Sequence, residues 1–214
     1  MHLSVAAWLQ STEDGDVMQQ FQLLAQPLWV NTLVLIPVVL FFSCRSRGLQ
    51  ISGRKLLVTA IFGLAFGFVE AAVVVYLRAA TGLLPGYSGA LSQIQQTAEM
   101  AHLETASIGH FSHTLLTIEM VREAATMVML VSIALLTGGR PIEQWAVFQW
   151  TFAIWDISYY AGLWATIRWP TSLKDLDILF LIPVPWLAQV WYPLLVSSLT
   201  LIIVGLSRKE SRLV

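Results

Sequence analysis

The stretch TLLTIEMVREAATMVMLVSIALL, Thr114 to Leu136, decides how the chain is read. A bilayer-crossing helix needs about 20 mostly apolar residues, and this segment supplies them. Glu119, Arg122 and Glu123 nevertheless stand where leucine or valine would be expected. A charge near the bilayer centre costs at least about 2.5–3.5 kcal/mol, so such groups face protein or a polar cavity rather than lipid. Ser112, Glu119, Glu123 and Thr126 recur at helical spacing and form one stripe. Arg122 is near enough to pair with Glu119 or with an acid on a neighbouring helix.

Composition points the same way. Hydrophobic residues make up 57% of the chain, charged residues 12%, and the mean hydropathy is +0.70. Soluble domains average about 25% charged residues, so this is a membrane composition. A net charge of -1 with no basic run excludes a nucleic-acid partner. The single cysteine, Cys44, excludes an internal disulfide and any cysteine-built zinc or iron–sulfur site. The opening MHLSVAAWLQSTEDGD lacks the basic n-region of a signal peptide. No linker or repeat divides residues 1–214, which are expected to form one domain.

Segments of spanning length fall at about 27–44, 55–78, 112–137, 143–167 and 185–206. The predicted fold is an all-α integral membrane protein, a bundle of five transmembrane helices. Pro37 and Pro193 are expected to kink the first and last. The run DILFLIPVPW, Asp177–Trp186, is too short to cross, and its prolines break a helix. It is expected at the interface or as a shallow re-entrant turn rimming a pocket.

Loop cations set the orientation. Arg45, Arg47, Arg54 and Lys55, then Arg140, then Arg208, Lys209 and Arg212 fall on one side, taken as cytoplasmic. The acidic N-terminal tail is then outside and the C-terminus inside, in a plasma or bacterial inner membrane. Trp29, Trp164, Trp169, Trp186, Trp191 and Tyr192 are expected to form an outer aromatic belt.

With that orientation, Glu70, Glu119, Glu123 and Asp156 come to similar depth, from the middle to the outer half. Gly63, Gly67 and Glu70 share a helix face, and the GxxxG pair allows another helix to approach closely. Gln149, Asp156 and Tyr160 share a face of the fourth span. These positions predict one polar pocket among the second, third and fourth spans, opening outward. Above it lie His102, His110 and His113, with Glu99 and Glu104 among them.

Imidazole and carboxylate together suit a transition metal such as iron or zinc. The candidate ligands are Glu70, His102, His110, His113, Glu119, Glu123 and Asp156. Glu99-Met-Ala-His102 meets the Glu-x-x-His pattern of di-iron helical bundles once, and the position three after Glu119 is Arg122. The expected activity is that of a metal-binding protein, a membrane oxidoreductase or other metalloenzyme. Glu119 or Glu123 would serve as general base, Arg122 would orient an anionic group, and Tyr160 would relay protons. Two alternatives use the same residues. In one the chain is an accessory subunit of a membrane complex or a homo-oligomer; in the other it is a proton- or ion-coupled translocator.

Overall fold

The apolar segments become helices, and one proline-rich segment does not. The computed structural model describes residues 21–80 and 113–208. Within them a 3-10 turn, Leu28–Val34, runs into α1, Leu35–Arg47. Then follow α2, Gly53–Ala80; α3, His113–Thr137; and α4, Pro141–Ile167. A hairpin of β1, Leu176–Phe180, and β2, Trp186–Gln189, precedes α5, Trp191–Ser207. The described part is therefore mostly helical, with five α-helices. Two of them, over Gly53–Ala79 and Leu116–Thr137, are long and apolar enough to cross a membrane.

On α2, Leu56, Thr59, Gly63, Gly67, Glu70 and Val74 are buried at three- and four-residue spacing, while Leu57, Val58, Ile61, Leu64 and Phe68 are exposed. That buried stripe lies along α4, the helix that also touches α3, α5 and α1. A Cβ on Gly63 would stand 2.9 Å from the Thr151 carbonyl oxygen, and one on Gly67 would stand 2.5 Å from that of Trp155. The expected close approach of helices at the GxxxG pair is therefore present, with α4 as the partner.

Three connections meet at one end of the helices. Lys55 Nζ donates to the Thr137 carbonyl at 2.6 Å, Arg140 Nη2 to that of Gly48 at 3.0 Å, and the Leu49 N–H to that of Ser207 at 3.1 Å. Glu143 holds this end together, accepting from the Arg140 side chain at 2.7 Å and the Gln50 N–H at 3.3 Å. Of the cations that set the predicted orientation, Lys55, Arg140 and Arg208 thus share one end; Lys209 and Arg212 lie outside the described residues.

The last span differs from expectation. Residues 186–189 are extended, so α5 begins only at Trp191. β1 and β2 pair antiparallel, with a register shift between Ile178 and Phe180. Physically, Pro183 and Pro185 forbid helix but serve a turn between runs rich in β-branched and aromatic residues. Pro37 falls where the helical run changes from 3-10 to α turns, two residues after Leu35. Pro193 falls in the first turn of α5, where a missing N–H costs no internal bond. The aromatic belt is also only partial. Trp29 and Trp164 are exposed, but Trp169 and Tyr192 are buried, and Tyr192 donates to the Val30 carbonyl at 3.0 Å. The acidic tail lies outside the described residues.

Candidate functional site

α3 lies against α4 but makes no comparable contact with α1 or α5. The gap left between them is a cavity of about 580 Å³. The hairpin lines it at the end away from Lys55 and Arg140. Its tip, Leu181, reaches Glu123, ten residues into α3, a depth of roughly 15 Å at 1.5 Å per residue. Phe180 goes with it, 6.3 Å from the Phe152 ring and 5.2 Å from that of Trp186. Backbone polar groups buried there need partners. The pairing of the strands supplies some of them. The Gln26 and Leu187 N–H groups, exchanging bonds of 2.7 Å with each other's carbonyls, supply more.

The charges on α3 have separate employments. Arg122 pairs with Glu70 of α2 through one terminal nitrogen and with Glu119 at 2.8 Å through the other. The Thr126 hydroxyl donates to the second Glu70 oxygen at 2.8 Å. Arg122 therefore bridges two carboxylates on two helices. Glu123 takes a different partner, accepting the Leu181 N–H at 2.9 and 3.0 Å, so it latches the hairpin tip.

Two further acids face the cavity. Asp156 accepts the Ser197 hydroxyl of α5 at 2.7 Å. Asp177, at the start of the hairpin, accepts the Tyr160 hydroxyl at 2.6 Å. Glu70, Arg122, Glu123, Asp156, Tyr160 and Asp177 all line the cavity, and Glu119 pairs with the lining residue Arg122. Around them the walls are aromatic and aliphatic, with Trp145, Phe148, Phe152, Trp155 and Val196 among the lining groups.

This arrangement departs from the expected one in two ways. The pocket lies chiefly between α3, α4 and α5 rather than among the second, third and fourth spans, because α2 is closed tightly onto α4. The segment expected as a shallow turn at the pocket's rim is instead a hairpin whose tip reaches Glu123, ten residues into α3. Among the described residues no three histidine, cysteine, aspartate or glutamate side chains form a group able to hold a metal. A metal using Glu70 and Glu119 would first have to displace Arg122. His102 and His110 lie outside the described residues, as does the side chain of His113.

Asp177 and Ser197 were not singled out from sequence, although both partner residues that were. Asp177 opens an apolar run with no polar alternation to mark it, and Ser197 is a small polar residue on an apolar helix. Chemically, the cavity offers carboxylates already supported by neutral donors, able to accept or give a proton beside an apolar wall. No family model, curated protein or solved structure matches the chain.

Proposed function

We propose that the chain is a five-span integral membrane protein whose cavity takes up a lipid-soluble molecule from the side. One observation carries this reading: polarity is inverted. Val121, Val128 and Leu136 of α3, Ile202 and Leu206 of α5 and the outer face of α2 are exposed, Leu136 to 84%. Glu70, Glu119, Glu123 and Asp156 are meanwhile buried. Water-facing surfaces avoid broad apolar faces and leave carboxylates exposed, whereas lipid favours the reverse.

α4 and α5 also suit a bilayer once burial and length are considered. α4 has 27 residues. That is about 40 Å of helix, more than the roughly 30 Å of hydrocarbon. Its polar residues Gln149, Thr151, Asp156 and Tyr160 are buried, so lipid would not meet them. α5 has 17 residues. It would span about 26 Å, with the hairpin completing that side. The end carrying Lys55, Arg140 and Arg208 would be cytoplasmic.

The cavity's shape favours lateral entry. The hairpin covers its outer part, and the separation of α3 from α1 and α5 leaves a side facing the surrounding apolar medium. A volume of about 580 Å³ suits a small-molecule site, for which about 300–1,000 Å³ is usual. A test of the membrane reading places single cysteines at Gly139 and Thr171 in a Cys44→Ser background. An impermeant thiol reagent is expected to label them from opposite faces of sealed vesicles. Labelling of both from one face, or a protein soluble without detergent, overturns it. For the cavity, Ala153→Trp on the α4 wall is expected to abolish retention of lipid-soluble molecules that co-purify with the wild type; equal retention sinks the binding role.

A further inference from the structure

Three buried N–H donors on the cavity wall have no hydrogen-bond partner among the described residues: Gln149 Nε2, Trp155 Nε1 and Trp186 Nε1. Gln149 is 4% exposed and Trp155 8%, so bulk water does not serve them. Leaving a buried donor unmatched is costly, and such groups are rare in folded proteins. We infer that these donors, Gln149 first among them, recognise an uncharged lipid-soluble molecule through a carbonyl oxygen. The inference rests on the reading of the cavity as a ligand site.

The chemistry narrows in three steps. The two indole N–H groups can only donate and the Gln149 carboxamide can present its NH₂, so their common complement is an acceptor, and a cation would leave the indoles as they are. An anionic acceptor is disfavoured: Glu70, Glu123, Asp156 and Asp177 line the same cavity with Arg122 as the only cation among its lining residues, and Arg122 is already held by Glu70 and Glu119. What remains is a neutral acceptor on an apolar body, matched by the walls of Phe148, Phe152 and Val196. Two sources carry that chemistry, the ring carbonyl of a quinone and the ester carbonyl of a neutral glycerolipid.

Gln149 is placed to select. It sits seven residues before Asp156, on the same face of α4, and Ala153 between them also lines the cavity. A small residue there leaves room for a bound group beside the carboxamide. The hydrophobic residues around it would accept leucine or methionine in its place, so packing alone does not require an amide.

The experiment uses the full chain purified in dodecyl maltoside and follows thermal unfolding during titration with three probes. These are decylubiquinone, dioleoylglycerol, and the dialkyl ether analogue of that glycerolipid, which has no carbonyl. A saturable rise in Tm is expected with one carbonyl probe and not with the ether, and which probe acts identifies the source. Gln149→Met is expected to raise the ligand-free Tm, since it removes an unmatched buried amide, yet to weaken the active probe by about tenfold or more. Trp155→Phe, a second variant, is expected to weaken it by a smaller factor. Equal binding of ester and ether, or unchanged affinity in both variants, overturns the inference while leaving the cavity as a ligand site. No binding by any probe overturns both.

Discussion

The two faces of α4 are built on opposite principles. Against α2 it is closed to the limit of contact, with glycines at Gly63 and Gly67 where any side chain would meet α4 backbone. On its other side it borders the cavity between α3 and α5, and what crosses that space is polar: an arginine of α3 between glutamates of α2 and α3, a glutamate of α3 on the hairpin tip, a tyrosine of α4 on a hairpin aspartate. A seam held by shape fails when an atom is added. A seam held by charge fails when one is removed. The comparison also explains why the cavity lies on the α3 side, since side chains that reach for distant partners leave space between the helices that carry them.

The sharpest way to break the open side is Arg122→Met. It would leave Glu70 and Glu119 buried without their cation, and stranding one partner of a buried ion pair costs about 3–5 kcal/mol. Thermal or steric-trap unfolding in detergent should show that loss. Adding Glu70→Gln and Glu119→Gln to the same chain should recover most of it. If the triple variant is no more stable than the single one, charge compensation is not what holds α3 to α2.

How much of this was legible in the sequence follows the same division. The α2–α4 seam could be read because its determinants are local: GxxxG and Glu70 sit on one helical face, and helical periodicity is a property of a single segment. The positions of the helices followed from apolar runs for the same reason. The pairing of Arg122 with both Glu119 and Glu70 was half legible, since i,i+3 neighbours are fixed by the helix while an interhelical partner is not. The hairpin was not legible as strands. Its sequence reads as a helix broken by prolines, and only pairing with Gln26, 161 residues before Leu187, and burial against Phe152 and Trp155 give the extended form its stability. Asp177 was lost with it, because a carboxylate placed by a tertiary hairpin carries no periodic signature.

Glu123 tests the next weakest bond on the open side. Glu123→Leu removes the acceptor of the Leu181 N–H, and a hydrogen bond to a charged group contributes about 1.5–3 kcal/mol. Amide exchange at Leu181 is expected to accelerate by roughly 10–100-fold, since each 1.4 kcal/mol is a factor of ten. Glu123→Gln keeps an acceptor oxygen and should change the rate much less. Equal exchange in Glu123→Leu and the wild type would show that the aromatic contacts of Phe180, not the carboxylate, hold the tip.

The closed side is tested by Gly67→Ala, which puts a Cβ 2.5 Å from the Trp155 carbonyl oxygen. Helix backbones must separate to admit it, and overpacking of this kind costs about 1–3 kcal/mol. The same substitution normally favours a helix, so a loss of stability isolates the contact from the propensity. Stability equal to or above the wild type would mean that α2 is not confined there.

The smallest effect serves as the calibration of the others. Gly205 lies in the last turn of α5, and a Cβ there would meet nothing within 4 Å. Gly205→Ala therefore keeps the helix-propensity gain of up to about 1 kcal/mol and carries no steric cost. The expected result is a small rise in Tm, opposite in sign to that of Gly67→Ala. Because the two changes are chemically identical, their unfolded-state entropy cancels, and the difference in sign isolates the α2–α4 contact. Should both variants shift stability by the same amount and sign, the tight seam would contribute nothing beyond helix propensity, and the contrast between the two faces of α4 would lose its energetic basis.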